Sequence, residues 1–169
     1  MSSDLVTLDA AIGTQRDLLL ECRRDPVRHP RLCYFNQAEA ADRLRPILLK
    51  AYLYRGQKPD DEVVAFTANE LAGELLRDAD GLGLHALSID EVAYVVRKAV
   101  LGQGGELYGI NVASLYRSLA DYAKGEGHTL QVEAERTAKT ADGSRVADFI
   151  QDAAQRFANE KTINKTTIR

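Results

Sequence analysis

A chain of 169 residues, 45% apolar and 28% charged, has material for one domain, or one domain with a tail, and for a substantial core. Its 22 basic and 25 acidic side chains leave a net charge of −3, so a whole-protein basic field for nucleic acid is absent, and the composition argues against collagen-like, disordered and membrane classes. Two cysteines, Cys22 and Cys33, do not make a disulfide framework and read as reduced thiols packed near the core.

The first residues do not read as a targeting segment, because Asp9, Arg16 and Asp17 interrupt the stretch from Leu5 to Leu20. No uncharged apolar run approaches the roughly 18 residues of a membrane span, and the expected compartment is the cytoplasm. Leu5, Leu8, Ile12, Leu19 and Cys22 recur at helical spacing and predict an amphipathic helix over 4–23. Pro26 and Pro30 end it in an elbow that carries Arg23, Arg24, Arg28, His29 and Arg31. Asn36, with Glu39 three residues on, predicts a capped second helix, kinked or split at Pro46 and closed by Gly56.

Pro59 suits the first turn of a third helix, with Asp60, Asp61 and Glu62 at its electropositive end and Val63, Phe66, Thr67, Ala72 and Leu75 on one face. Ser88 and Glu91 form a capping box that opens a fourth helix, striped by Val92, Val95, Val96, Ala99 and Val100. Gly102 is expected to end it in a left-handed conformation, with Gly104 and Gly105 turning the chain and Leu107 and Tyr108 returning to the core. Asn111 caps a fifth helix with Val112, Leu115, Leu119 and Tyr122 inward and Gly125 at its end. Residues 134–139 are helix-prone but poor in large apolar groups, and Ser144 can cap a last amphipathic helix.

Charge divides unevenly. Residues 1–60 carry ten basic and eight acidic groups, residues 61–130 five and eleven, and residues 131–169 seven and six. The predicted core helices are thus the acidic part, and nucleic-acid binding would have to come from the ends. Arginine forks suit phosphate, which makes Arg23, Arg24, Arg28 and Arg31 a candidate contact for nucleic acid or an acidic partner, beside the plainer reading of a solvated loop paired with helix acids.

The glycines at 102–109 match neither the GxxxxGKS/T phosphate loop nor a strand-borne GxGxxG, so no nucleotide site is expected. Gln103, Glu106, Tyr108 and Asn111 there form a candidate partner loop. The nine residues between Leu101 and Asn111 are too many for a helix-turn-helix. His29, His85 and His128 fall on separate predicted loops without a second ligand at helical spacing, so no metal is expected. No GxSxG, locally supported Cys–His pair or compelling acid pair appears, and the chain reads as a non-enzyme without cofactor.

Leu87-Ser88-Ile89-Asp90-Glu91-Val92, the run from Ala99 through Gly102-Gln103-Gly104-Gly105-Glu106-Leu107-Tyr108-Gly109-Ile110-Asn111 to Val112, and Leu119-Ala120-Asp121-Tyr122 form one pattern. Over residues 62–124 it resembles a group of small helical proteins encoded by bacteriophages and mobile elements. The chain departs from that group at Ser118 and Leu119, where a tryptophan or other bulky aromatic is frequent. The group looks associated with replication loci, so the resemblance implies an accessory role in DNA metabolism and carries no catalytic residues across.

The expected fold is all-α: a compact bundle of about five helices over 1–125, then a connector, an amphipathic helical arm and a tail over 126–169. Leu19, Leu48, Phe66, Leu75, Val96, Val100, Leu115 and Leu119 are its expected core. The expected function is a non-enzymatic phage or mobile-element adaptor that binds a DNA-replication protein, such as a helicase, through helical surfaces. Alternatives are nucleic-acid binding by the elbow 23–31 and the C-terminal tail, or inhibition of a host protein. Val146, Phe149, Ile150 and Phe157, with Ala153, make a stripe that must dock on its own bundle, on a second copy as a homodimer, or on a partner.

Overall fold

A computed structural model describes residues 15–103 and 109–141. The fold is all-α. Helix α1 covers residues 15–24 of those described, α2 spans Gln37–Tyr54, α3 Asp61–Arg77, α4 Ile89–Val100 and α5 Val112–Tyr122, with short 3-10 turns at Leu32–Tyr34 and Leu84–Ala86. A π-helical turn, Ala123–Gly127, follows α5, and residues 128–141 are again α-helical. One compact unit runs to Gln131, and a second begins at Val132.

Local chemistry starts the helices where side chains can accept orphan backbone N–H groups. Asn36 and Glu39 close a reciprocal capping box at α2, Ser88 and Glu91 another at α4, and Asn111 accepts from Ser114 N at α5. Asp60 is the N-cap of α3, so Pro59 sits just outside that helix rather than in its first turn. Gly102, at φ +75°, ends α4 in the left-handed region that a residue with a Cβ disfavours. The segment of Gly104, Gly105, Leu107 and Tyr108 lies outside the described residues.

Three expectations change. Helix α2 runs through Pro46 as one element rather than splitting there, with Pro46 on the exposed side and Leu44, Leu48 and Ala51 holding the opposite face in the core. Gly125 does not end the fifth helix; the chain passes it in the π turn and stays helical. Phe66 is 67% exposed and Val63 49%, so α3 buries Val64, Thr67, Ala68, Leu71, Ala72 and Leu75 instead.

The core joins Leu19 and Leu20 of α1, Leu44 and Leu48 of α2, Leu71 and Leu75 of α3, the Val92–Val100 stripe of α4, Leu115 and Leu119 of α5, and Leu130. Leu32, Leu84 and Leu87 of the connecting segments enter it too. Each such side chain contributes about 1.5–3 kcal/mol on burial. Helices α2 and α3 make the most extensive helix–helix contact. A Cβ at Gly73 would stand 2.9 Å from Gln37 Nε2, so glycine permits this approach.

Candidate functional site

The segment after α1 is built by Asp25, whose Oδ1 accepts from Val27 N and Arg28 N at 3.1 Å. The chain then lies antiparallel to the entry of α4, with Arg31 and Ser88 as a bridge, Leu32 N donating to Leu87 O at 2.9 Å and Ile89 N donating to Pro30 O at 3.3 Å. This backbone clasp brings the end of α1, the elbow and the first turn of α4 together.

Glu91 is the buried centre of the junction, 1% exposed. Its Oε1 accepts from Arg23 Nε at 2.6 Å and from Tyr122 OH at 3.0 Å, while Oε2 accepts from Ser88 N at 2.9 Å and Ser88 Oγ at 3.2 Å. Arg23 also donates to Gln131 Oε1 at 3.2 Å. Burial and the Glu91 carboxylate push the Tyr122 hydroxyl well above the usual phenol range, against the opposing pull of Arg23, so Tyr122 remains a proton donor. Among the described residues no buried side-chain nitrogen or oxygen lacks a hydrogen-bond partner.

Beside this network, Cys22, His29 and Asp90 come together: one donor atom from each lies within 4.8 Å of the others. His29 Nδ1 stands 2.8 Å from Asp90 Oδ2. Burial raises the Cys22 thiol to about 11, with Ser88 lowering it by a hydrogen bond and the Asp90 and Glu91 carboxylates raising it. No sequence-local spacing announces this trio; the clasp makes it.

Asp90 also borders a groove of about 350 Å³ between α2 and α4. Ala51, Val96, Ile47 and Ile89 form its apolar lining, and Arg43, Lys50, Arg97 and Tyr54 stand exposed around it. Arg43 lies 4.2 Å over the Phe35 ring, which fixes its guanidinium at one end. No carboxylate among the described residues pairs with Arg43, Lys50 or Arg97. The recess between α4 and α5 differs: there Lys98 and Glu126 pair at 2.9 Å, and Tyr94 OH donates to Glu126 Oε1 at 3.1 Å.

The basic elbow is not one patch. Arg23 is 9% exposed and held by Glu91, whereas Arg28 is exposed beside Glu21 and Asp25 at 3.4 and 3.6 Å. Arg24 is exposed, and Arg31 is half-buried with its backbone in the clasp. Of the partner loop, Gln103 is exposed and Asn111 is engaged as the α5 cap. Glu106 and Tyr108, and the stripe of Val146, Phe149, Ile150 and Phe157, lie outside the described residues. The groove cations were partly legible: Arg43, Ile47, Lys50 and Tyr54 recur at intervals of three and four along α2, which places them on one face.

Comparison with protein-family models, curated proteins and solved structures finds no match. Among the described residues no helix is long and apolar enough to cross a membrane.

Proposed function

We propose that this is a non-enzymatic binding protein that receives an acidic, partly apolar segment of a partner protein in the α2–α4 groove. The observation that carries this reading is charge: three exposed cations without carboxylate partners surround an apolar lining, on a chain whose net charge is negative. An apolar trough anchors a partner's aliphatic side chains, and a predominantly basic rim, with Asp90 at one edge, selects an acidic segment and speeds encounter. The resemblance to phage and mobile-element proteins supplies the partner class, a DNA-replication protein such as a helicase. The cytoplasm is the matching compartment, and both cysteines are free thiols. Self-association through Val146, Phe149, Ile150 and Phe157 belongs to the same reading as a second, separate interface.

The test is binding of the purified replicative helicase of the host to the full chain and to a Lys50→Glu/Arg97→Glu variant, with an oligo-dT strand as a second probe. Helicase binding that the charge reversal weakens at least about tenfold supports the proposal. Helicase binding that survives the reversal, or none at all, overturns it. Oligo-dT binding that falls steeply with salt favours the nucleic-acid reading, since phosphate contacts release counterions.

A further inference from the structure

We infer that Cys22, His29 and Asp90 bind one divalent cation of the zinc class through the Cys22 sulfur, a His29 ring nitrogen and an Asp90 carboxylate oxygen, leaving a fourth position to water. The donors come from three elements, the last turn of α1, the elbow and the first turn of α4, and the backbone clasp of Arg31 on Ser88 holds those elements in register. The donor atoms lie within 4.8 Å of one another, with His29 Nδ1 and Asp90 Oδ2 only 2.8 Å apart, against the roughly 3.3–3.8 Å that separates ligand atoms around a tetrahedral ion, so loading must part the hydrogen-bonded His29–Asp90 pair by about 0.5–1 Å. The two outer ligands can supply that movement. Asp90 is half exposed, and His29 sits in a turn rather than in a helix, while Cys22 is fixed in α1.

The ligand types choose the ion. Thiolate and imidazole favour zinc over magnesium or calcium, which take oxygen ligands in larger number. One thiolate and one carboxylate balance the charge of a divalent ion, so the loaded site is neutral next to the buried Arg23–Glu91 pair. A cysteine thiol is mostly protonated at neutral pH, so binding forms a metal–sulfur bond and releases the thiol proton to solvent. The alternative use of these residues, a nucleophilic triad, needs a thiolate open to substrate, and Cys22 is 1% exposed.

The test is a cobalt(II) titration of the full chain carrying Cys33→Ser, so that Cys22 is its only thiol. The expected result is a near-ultraviolet thiolate-to-cobalt charge-transfer band that saturates at one equivalent, disappears on adding zinc, and accompanies proton release in weak buffer. Cys22→Ser removes the band, and His29→Ala and Asp90→Asn each weaken binding by about 10-fold or more. Because Cys22 is buried, the two outer variants decide the matter if Cys22→Ser does not fold. No charge-transfer band, a band that survives Cys22→Ser, or an affinity unchanged by His29→Ala overturns the inference. The result is independent of whether the groove takes an acidic partner.

Discussion

Arg23 and Glu91, 68 positions apart in the chain, meet with Nε and Oε1 at 2.6 Å and side chains 9% and 1% exposed. The pair joins α1 to α4, and Tyr122 and Ser88 complete the coordination of the carboxylate. A carboxylate so enclosed depends on all its partners, because a buried charge that loses its counter-ion is more costly than one never buried.

Arg23→Ala is therefore expected to lower unfolding free energy by about 3–5 kcal/mol. Arg28→Ala, five residues on in the exposed part of the same elbow, should change it by less than about 0.5 kcal/mol. Urea denaturation of the two variants reads the contrast. Equal effects would mean that the Glu91 network does not hold the two helices together.

Asp78 gives the pH prediction. Burial pushes its carboxyl up, but donors outweigh this: Leu84 N, Gly83 N, His85 and Leu82 N surround it, and the net effect lowers it from the ordinary value of 3.8. A carboxyl depressed in the folded state contributes stability above its unfolded value and loses it as pH falls through the folded one. Acid unfolding monitored below pH 4 should thus lose its Asp78 component in Asp78→Ala. At neutral pH that variant should be less stable by about 1–3 kcal/mol, from orphaned N–H groups in the 81–85 turn.

The two glycines of the π turn should respond with opposite signs. A Cβ at Gly127 would stand 2.9 Å from the Tyr122 ring and 3.1 Å from its carbonyl oxygen, whereas one at Gly125 meets nothing within 4 Å. Gly127→Ala is expected to destabilise, by about 1–3 kcal/mol, as overpacking does. Gly125→Ala should stabilise by about 0.4–1 kcal/mol through a more restricted unfolded chain. Thermal melts of both variants check the pair.

Helix α3 supplies a third contrast. Phe66→Ser should leave the denaturation midpoint almost unchanged, because the ring is 67% exposed, while Leu71→Ala, at a fully buried position, should cost about 2–5 kcal/mol. A large loss from Phe66→Ser would show that the ring is covered in solution.

Helix α3 also shows where sequence reading succeeds and fails. Capping boxes at Asn36/Glu39 and Ser88/Glu91 involve residues three apart, so they are legible as strings. Along α3 two apolar registers compete. One runs through Val63 and Phe66, the other through Val64, Thr67, Ala68, Leu71 and Leu75, and only the packing surface offered by the other helices chooses the second. The candidate site was less legible still. Arg23 read as one of several elbow cations and Glu91 as a cap, since nothing local states that they face one another. Cys22, His29 and Asp90 are assembled by backbone hydrogen bonds between segments far apart in the chain.

The clasp between Arg31 and Ser88 also sets an order of events during folding. Joining these positions closes a loop of about 57 residues, against about six between α2 and α3, and the extra length adds about 2 kcal/mol of closure entropy. The α2–α3 hairpin lies wholly inside that loop and shortens it by folding first. The elbow is then expected to dock on α4 late, and the Glu91 network with it. Substitutions in the clasp should accordingly accelerate unfolding while leaving the refolding rate nearly untouched.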